Sequence, residues 1–273
     1  MAMGIAPAIA GAHALQAQVV AHVLDVRGQW RLDGNTAQVI SGQGLTAGAK
    51  ITSSFNRPGD SITIVHDEDM SRQWVACDDS AANPCHSPIV VPGASVGAAP
   101  NQLRGLVNAA LSVLLSKPPA IGNHYALTLT RGIKPKVQEM EAVVPLDPAL
   151  GIVLPTVSDD LPAGKYSGSI APAGEKASSS PQTVQLTPGG TWSALRCDAP
   201  GLYEVSISNA GGHQVADVML LVTTAAQFPA ARDEFKSMKN RTSKWDGPKA
   251  RSDEHLFLRA YLLQASQAGT SSQ

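Results

Sequence analysis

Gly93-Ala94-Ser95-Val96-Gly97 matches the G-x-S-x-G pattern of a nucleophile elbow. Such a turn between strand and helix lifts a serine hydroxyl toward a histidine base. An apolar run, Ile89-Val90-Val91, precedes the motif, and a segment with helical periodicity follows it. In that chain order the acid would come from Asp147, Asp159, Asp160, Asp198 or Asp217, and the base would be His213 or His255. Three features oppose catalysis. Pro100 falls where the helix after the nucleophile should already be running, and no Gly-rich oxyanion segment lies upstream. The upstream strands also alternate with one another, whereas an α/β-hydrolase needs strands alternating with helices. Ser95 therefore reads first as part of a flexible loop, with a serine esterase using Ser95 and His213 or His255 as the alternative.

The cysteines give a firmer signal. Cys77-(x7)-Cys85 closes a loop, Asp78 to Pro84, short enough to turn back on itself. A disulfide there stabilises by roughly 2–3 kcal/mol in the chain-entropy model. Cys197 is left over and reads as a buried, inert thiol in a strand. The acids Asp67, Glu68 and Asp69 with Asp78 and Asp79 form an alternative set of oxygen ligands for Ca²⁺. No D-x-D-x-D-G loop accompanies them, so a solvated turn is the first expectation. Cys77, Cys85, His66 and His86 have the wrong spacing for common zinc sites. No metal and no cofactor is expected.

The elements that would carry these residues are mostly strands. Residues 23–26, 29–32, 50–52, 61–65 and 73–76 alternate apolar and polar side chains, punctuated by Gly34-Asn35, Gly42, Gly44, Gly48 and Gly59. Within them, Gly42-Gln43-Gly44-Leu45-Thr46-Ala47-Gly48-Ala49-Lys50-Ile51, Gly59-Asp60-Ser61-Ile62-Thr63-Ile64 and Met70-Ser71-Arg72-Gln73-Trp74 resemble the FecR-type extracytoplasmic β-domain over residues 20–92. That resemblance implies a periplasmic module of packed β-turns used in sensing or envelope interactions. It carries over neither a signalling role nor a site residue, since the family's membrane helix and anti-sigma segment are absent here.

Residues 93–141 form a connector with a helix at 102–116, stopped by Lys117-Pro118-Pro119, and a strand at 125–130. Strands expected at 151–154, 165–170, 182–186, 191–195, 201–208 and 216–223 suit an immunoglobulin-like sandwich over 142–224. Tyr203, in Pro200-Gly201-Leu202-Tyr203, sits where a corner tyrosine ties down the backbone of such domains. His213 falls at a hairpin tip, and Trp30, Trp74 and Trp192 fall at strand positions that suit core or cross-strand anchors. Residues 225–268 form two helices, expected at 225–244 and 252–266, with Ser252 as the N-cap of the second. Leu256, Leu258, Tyr261, Leu262 and Leu263 give that helix an apolar face expected to complete the core of the second β-module.

The fold class is thus mainly β with accessory helices: a small N-terminal β-domain, an immunoglobulin-like sandwich and two C-terminal helices. A net charge of −1, with no basic run, gives no support to a nucleic-acid partner. No apolar stretch is long enough to span a membrane. Residues 1–18 lack charge and end in Ala12-His13-Ala14, which suits a signal segment cut after small residues. With the cysteine loop, this places the protein in the periplasm or outside the cell, non-catalytic, binding or scaffolding with a protein or cell-wall partner. Thiol titration of the unfolded, unreduced protein from an oxidising compartment should find one free cysteine, Cys197. Three free thiols would remove the reason for placing the chain outside the cytoplasm.

Overall fold

The computed structural model describes residues 19–33, 37–80, 82–93, 137–155, 161–173 and 181–270. The segment 1–18, Ser95, the helix at 102–116 and the strand at 125–130 lie outside these residues. The protein is mainly β, with three sheets and two C-terminal helices.

The N-terminal module places β1 (Val19–Arg27), β3 (Gly44–Thr46), β5 (Ser61–His66) and β6 (Arg72–Ala76) in one antiparallel sheet of order β3-β1-β5-β6. A smaller sheet holds β2 (Trp30–Leu32), β4 (Lys50–Ser53) and β7 (Ile89–Val90). All five expected strands form, while β3 and β7 were hidden by glycine and by shortness. Between the sheets lies a core that includes Val23, Trp30, Leu45, Ile51, Ile62 and Ile64. Cys77 and Cys85 are disulfide-bonded inside this core, with Cα atoms 5.3 Å apart. Asn83 shapes the loop: its Oδ1 accepts from the Cys85 amide at 2.9 Å and its Nδ2 donates to the Asp78 carbonyl at 2.6 Å.

The second module is a five-stranded sheet of order β10-β9-β11-β12-β8. Its strands are β8 (Gln138–Pro145), β9 (Gly164–Pro172), β10 (Gln182–Leu186), β11 (Gly201–Ser208) and β12 (Gln214–Thr223). β8 runs parallel to β12, and the other pairs are antiparallel. Segments 151–154 and 191–195 do not become full strands. They pair through Ile152 and Leu195 as a short second layer over the sheet. Gly151 makes that approach workable: at φ +91°, a Cβ there would stand 2.0 Å from the Leu195 carbonyl oxygen. The core between the layers includes Ile152, Leu186, Trp192, Leu195, Val205 and Leu220. Tyr203 does tie down its corner, donating to the Ala199 carbonyl at 3.0 Å, and Tyr166 donates to the Pro162 carbonyl at 2.6 Å in the same way. Burial pushes the Tyr203 phenol up to about 12, with Cys197 contributing. Cys197 itself departs from expectation. It is half-buried in the loop before the corner, and its Sγ donates to the Ala199 carbonyl at 3.3 Å.

Strand faces explain the layering. Alternation sends Val218, Leu220 and Val222 into the sandwich core and leaves Met219 and Leu221 on the opposite face. In β5, Ile62 and Ile64 face the N-terminal core while Val65 looks away from it. Both outward faces are covered by the helices α1 (Phe228–Thr242) and α2 (Ala250–Thr270). One cluster joins Leu24, Val65 and Met70 of the first module, Val143, Met219 and Leu221 of the second, and Phe235, Met238, Phe257, Leu258 and Leu262 of the helices. Helix α2 therefore does not complete the sandwich core, as expected from sequence; it builds a third core between the two modules. It also begins at Ala250, so Ser252 lies inside its first turn and is not the N-cap.

Polar groups cross the same junction. Arg72 of β6 donates from Nε to Asp253 Oδ2 of α2 at 2.7 Å, and its other nitrogens reach the carbonyls of Asp246 and Pro248. Thr63 adds a hydroxyl to Asp253 at 3.2 Å. Lys249 pairs with Asp25 at 2.8 Å, and the Trp245 indole donates to the Met70 carbonyl at 2.7 Å. The Arg72 and Asp253 side chains are 4% and 3% exposed, so removing one partner strands a buried charge. Burial pushes the Asp253 carboxyl up, against the opposing pull of Arg72. A carboxyl raised by folding favours the fold at acid pH, and that contribution fades as pH rises through the raised value. Loss of Arg72 raises it further. Arg72→Met should thus cost about 3–5 kcal/mol near neutral pH and less on acidification. Denaturant melts at pH 7.5 and 4.5 check this; a deficit equal at both values would contradict it.

Candidate functional site

Glu141 lies on the helix-facing side of β8, two residues before Val143, which packs in the junction core. Asp217 shares that face of β12, because register sets Met219 beside Glu141 and Asp217 beside Glu139. From above, α2 lowers His255 and Arg259, one helical turn apart and therefore on one side of the helix. His255 Nδ1 lies 2.7 Å from Glu141 Oε2, and Arg259 Nε donates to Glu141 Oε1 at 3.0 Å. The far end of the same guanidinium donates to Asp217 at 2.8 Å. The result is a chain of four charged or ionisable groups, Asp217, Arg259, Glu141 and His255.

Burial fixes this chain in place. The Glu141 and Arg259 side chains are 2% and 4% exposed, and His255 is 13% exposed. A carboxylate can only accept, so the hydrogen of the neutral imidazole sits on Nδ1. An imidazole oriented this way through one nitrogen presents the other for work, whether as hydrogen-bonding group, base or ligand. His255 lines an open groove of about 1090 Å³ between the start of β8, the end of α1 and the start of α2. Lys239 of α1 and Ser243, the residue that caps the end of that helix, face it from one side, and Arg251 joins His255 from α2. Each helix contributes a pair spaced by four residues, the interval that keeps two side chains together.

The residues singled out from sequence scatter over the molecule. His213 sits exposed at the β11–β12 hairpin tip, with its amide donating to Asn209 Oδ1 at 3.0 Å. Ser95, Asp159 and Asp160 lie outside the described residues, and Asp147 closes its own turn by accepting from the Ala149 amide at 2.8 Å. Of the candidate acids and bases, Asp217 and His255 are brought into one network, with Glu141 and Arg259 as the links. Asp67 is buried against His22, 2.8 Å from its Nδ1. Asp69 accepts from the Ser71 amide at 2.8 Å, and Asp78 accepts from the Ser80 amide and hydroxyl at 2.9 and 2.6 Å. Those Ser80 bonds hold the Asp78 carboxyl below the usual carboxylate range. Glu68 is half-buried and Asp79 exposed. Among the described residues, no three His, Cys, Asp or Glu side chains gather as a metal set, and none of the helices is long and apolar enough to cross a membrane.

Glu141 and Arg259 escaped the sequence reading for different reasons. Residues 138–141 looked like the end of a linker, although Met140, Ala142 and Val144 alternate with Glu139, Glu141 and Val143 as a strand does. Arg259 stands between leucines on a face that read as uniformly apolar. The chain matches no family model and no curated protein. Any function must therefore be argued from the groove and its surroundings.

Nitrogen-resolved NMR of the His255 ring tests the arrangement directly. The neutral wild-type ring should carry its hydrogen on Nδ1, and Glu141→Ala should release it toward the Nε2 tautomer. A ring already on the Nε2 tautomer in the wild type would contradict the described hydrogen bond.

Proposed function

We propose that this chain is an exported envelope protein with a binding or scaffolding role, and that the groove at His255 is its binding site. The observation that carries this reading is a polar groove wall held by a buried charge network. Among the described residues, no serine, threonine or cysteine hydroxyl or thiol hydrogen-bonds to His255. A wall built in this way favours recognition by positioned polar groups in a concave site. The disulfide between Cys77 and Cys85 supports an oxidising compartment. The FecR-like pattern of residues 20–92 supports an envelope setting, with a protein or cell-wall partner.

One observation favours a second reading, a serine esterase. Ser95, Glu141 and His255 follow the chain order of nucleophile, acid and base in the α/β-hydrolases, and the acid and base are in contact. The two readings separate in two measurements. The purified chain should release no p-nitrophenol from a short-chain ester above buffer, whereas turnover abolished in Ser95→Ala would establish the hydrolase. The chain should also cosediment with isolated cell envelopes, and Ser243→Trp, which fills the groove from an exposed position, should reduce the bound fraction several-fold. Unchanged sedimentation of that variant would remove the groove from the binding role.

A further inference from the structure

We propose that the groove recognises a primary ammonium, the side chain of a lysine-type residue in a peptide, with His255 Nε2 as one of its acceptors. This rests on the binding reading above. Glu141 is ion-paired to Arg259 and takes the hydrogen on Nδ1, which leaves Nε2 of the neutral ring with a lone pair. Among the described residues the His255 ring makes no other hydrogen bond, so Nε2 of this groove-lining residue is left without a protein partner.

Glu139 and Glu254 line the same groove, and neither forms an ion pair within 4 Å among the described residues. Glu254 is steadied by the buried Thr242, whose hydroxyl donates to its Oε1 at 3.2 Å. One imidazole nitrogen and two carboxylates make a set of acceptors. An ammonium carries three donors and no acceptor, which fits that set. A ligand hydroxyl would bring one donor and no charge. With Glu141 neutralised by Arg259, the groove still carries three lining carboxylates, Glu139, Asp246 and Glu254, against two lining cations, Lys239 and Arg251. Lys239 and Arg251 have no acidic partner within 4 Å among the described residues, and they suit the carbonyls or a carboxylate of the peptide that carries the ammonium.

The test is a titration of the full chain, at low salt, with N-acetyl-trilysine amide and with the same peptide acetylated on every side chain. Ring resonances of His255 report binding. The lysine peptide should shift them saturably, and the acetylated peptide should not. Glu139→Gln and Glu254→Gln should each weaken the lysine peptide by about five- to ten-fold, the loss of one charge-assisted contact. Equal shifts from both peptides, or saturable binding that leaves His255 silent, would overturn the assignment. So would carboxamide variants that bind as the wild type does. If His255 is silent while the chain still cosediments with envelopes, the ligand class falls and the binding reading stands. If the chain does not cosediment, the binding reading falls, and the peptide titration still decides the chemistry of the groove.

Discussion

The rest of the structure depends on a carboxylate that cannot be left alone. Asp253 enters the first turn of α2 facing inward, 3% exposed, and the guanidinium that neutralises it comes from β6, far away in sequence. A buried ionised group without a partner costs several kcal/mol, so α2 reaches its observed position only where Arg72 can meet it. The pair also fixes register. Once Asp253 is seated, helical geometry places Phe257, Leu258 and Leu262 against both sheets and brings His255 and Arg259 over Glu141. A buried pair of this kind adds little net stability and much orientation.

That constraint separates two kinds of contact in the junction. Apolar side chains such as Met219, Leu24 and Phe257 supply the area removed from water, a non-directional gain. The charge networks supply direction. Arg72 reaches two backbone carbonyls of the α1–α2 linker as well as Asp253, and Arg259 spans Glu141 and Asp217 on neighbouring strands. Helix α2 is thereby tied to one module by its first turn and to the other by the next turns. The groove lies beside this second tie, so its shape is set by the same contacts that hold the fold together.

How much of this was legible depends on which partner a residue meets. Strands of the N-terminal module were readable because their alternation is local: Ile62 and Ile64 face one core, with turn glycines close by in sequence. The disulfide was readable from a short spacing. The sandwich was readable in its longer strands. Segments 151–154 and 191–195 were over-read, since β-like composition there serves a short covering layer held by isolated bridges, Ile152 to Leu195, Trp192 to Leu186 and Gly151 to Asp147. β8 was missed because its glutamates looked solvated, although Glu141 is buried by a helix that arrives from more than a hundred residues away. The site was hardest of all. His255 stood out as a histidine, but its meaning comes from Glu141 and Arg259, and no local pattern in a sequence reports a contact of that range. The same limit applied to α2: its apolar face was clear, and the two surfaces it covers were not.

The central claim is that the C-terminal helices join both β-modules through one shared core. Native-state hydrogen exchange on Phe257→Ala tests it most directly, because Phe257 is fully buried among residues of both modules. Truncating such a phenylalanine costs about 3–5 kcal/mol. The account predicts that amides of β5 and β12 lose protection together and by similar amounts. Loss confined to β12, with β5 unchanged, would show that the helices belong to the sandwich alone and would contradict it.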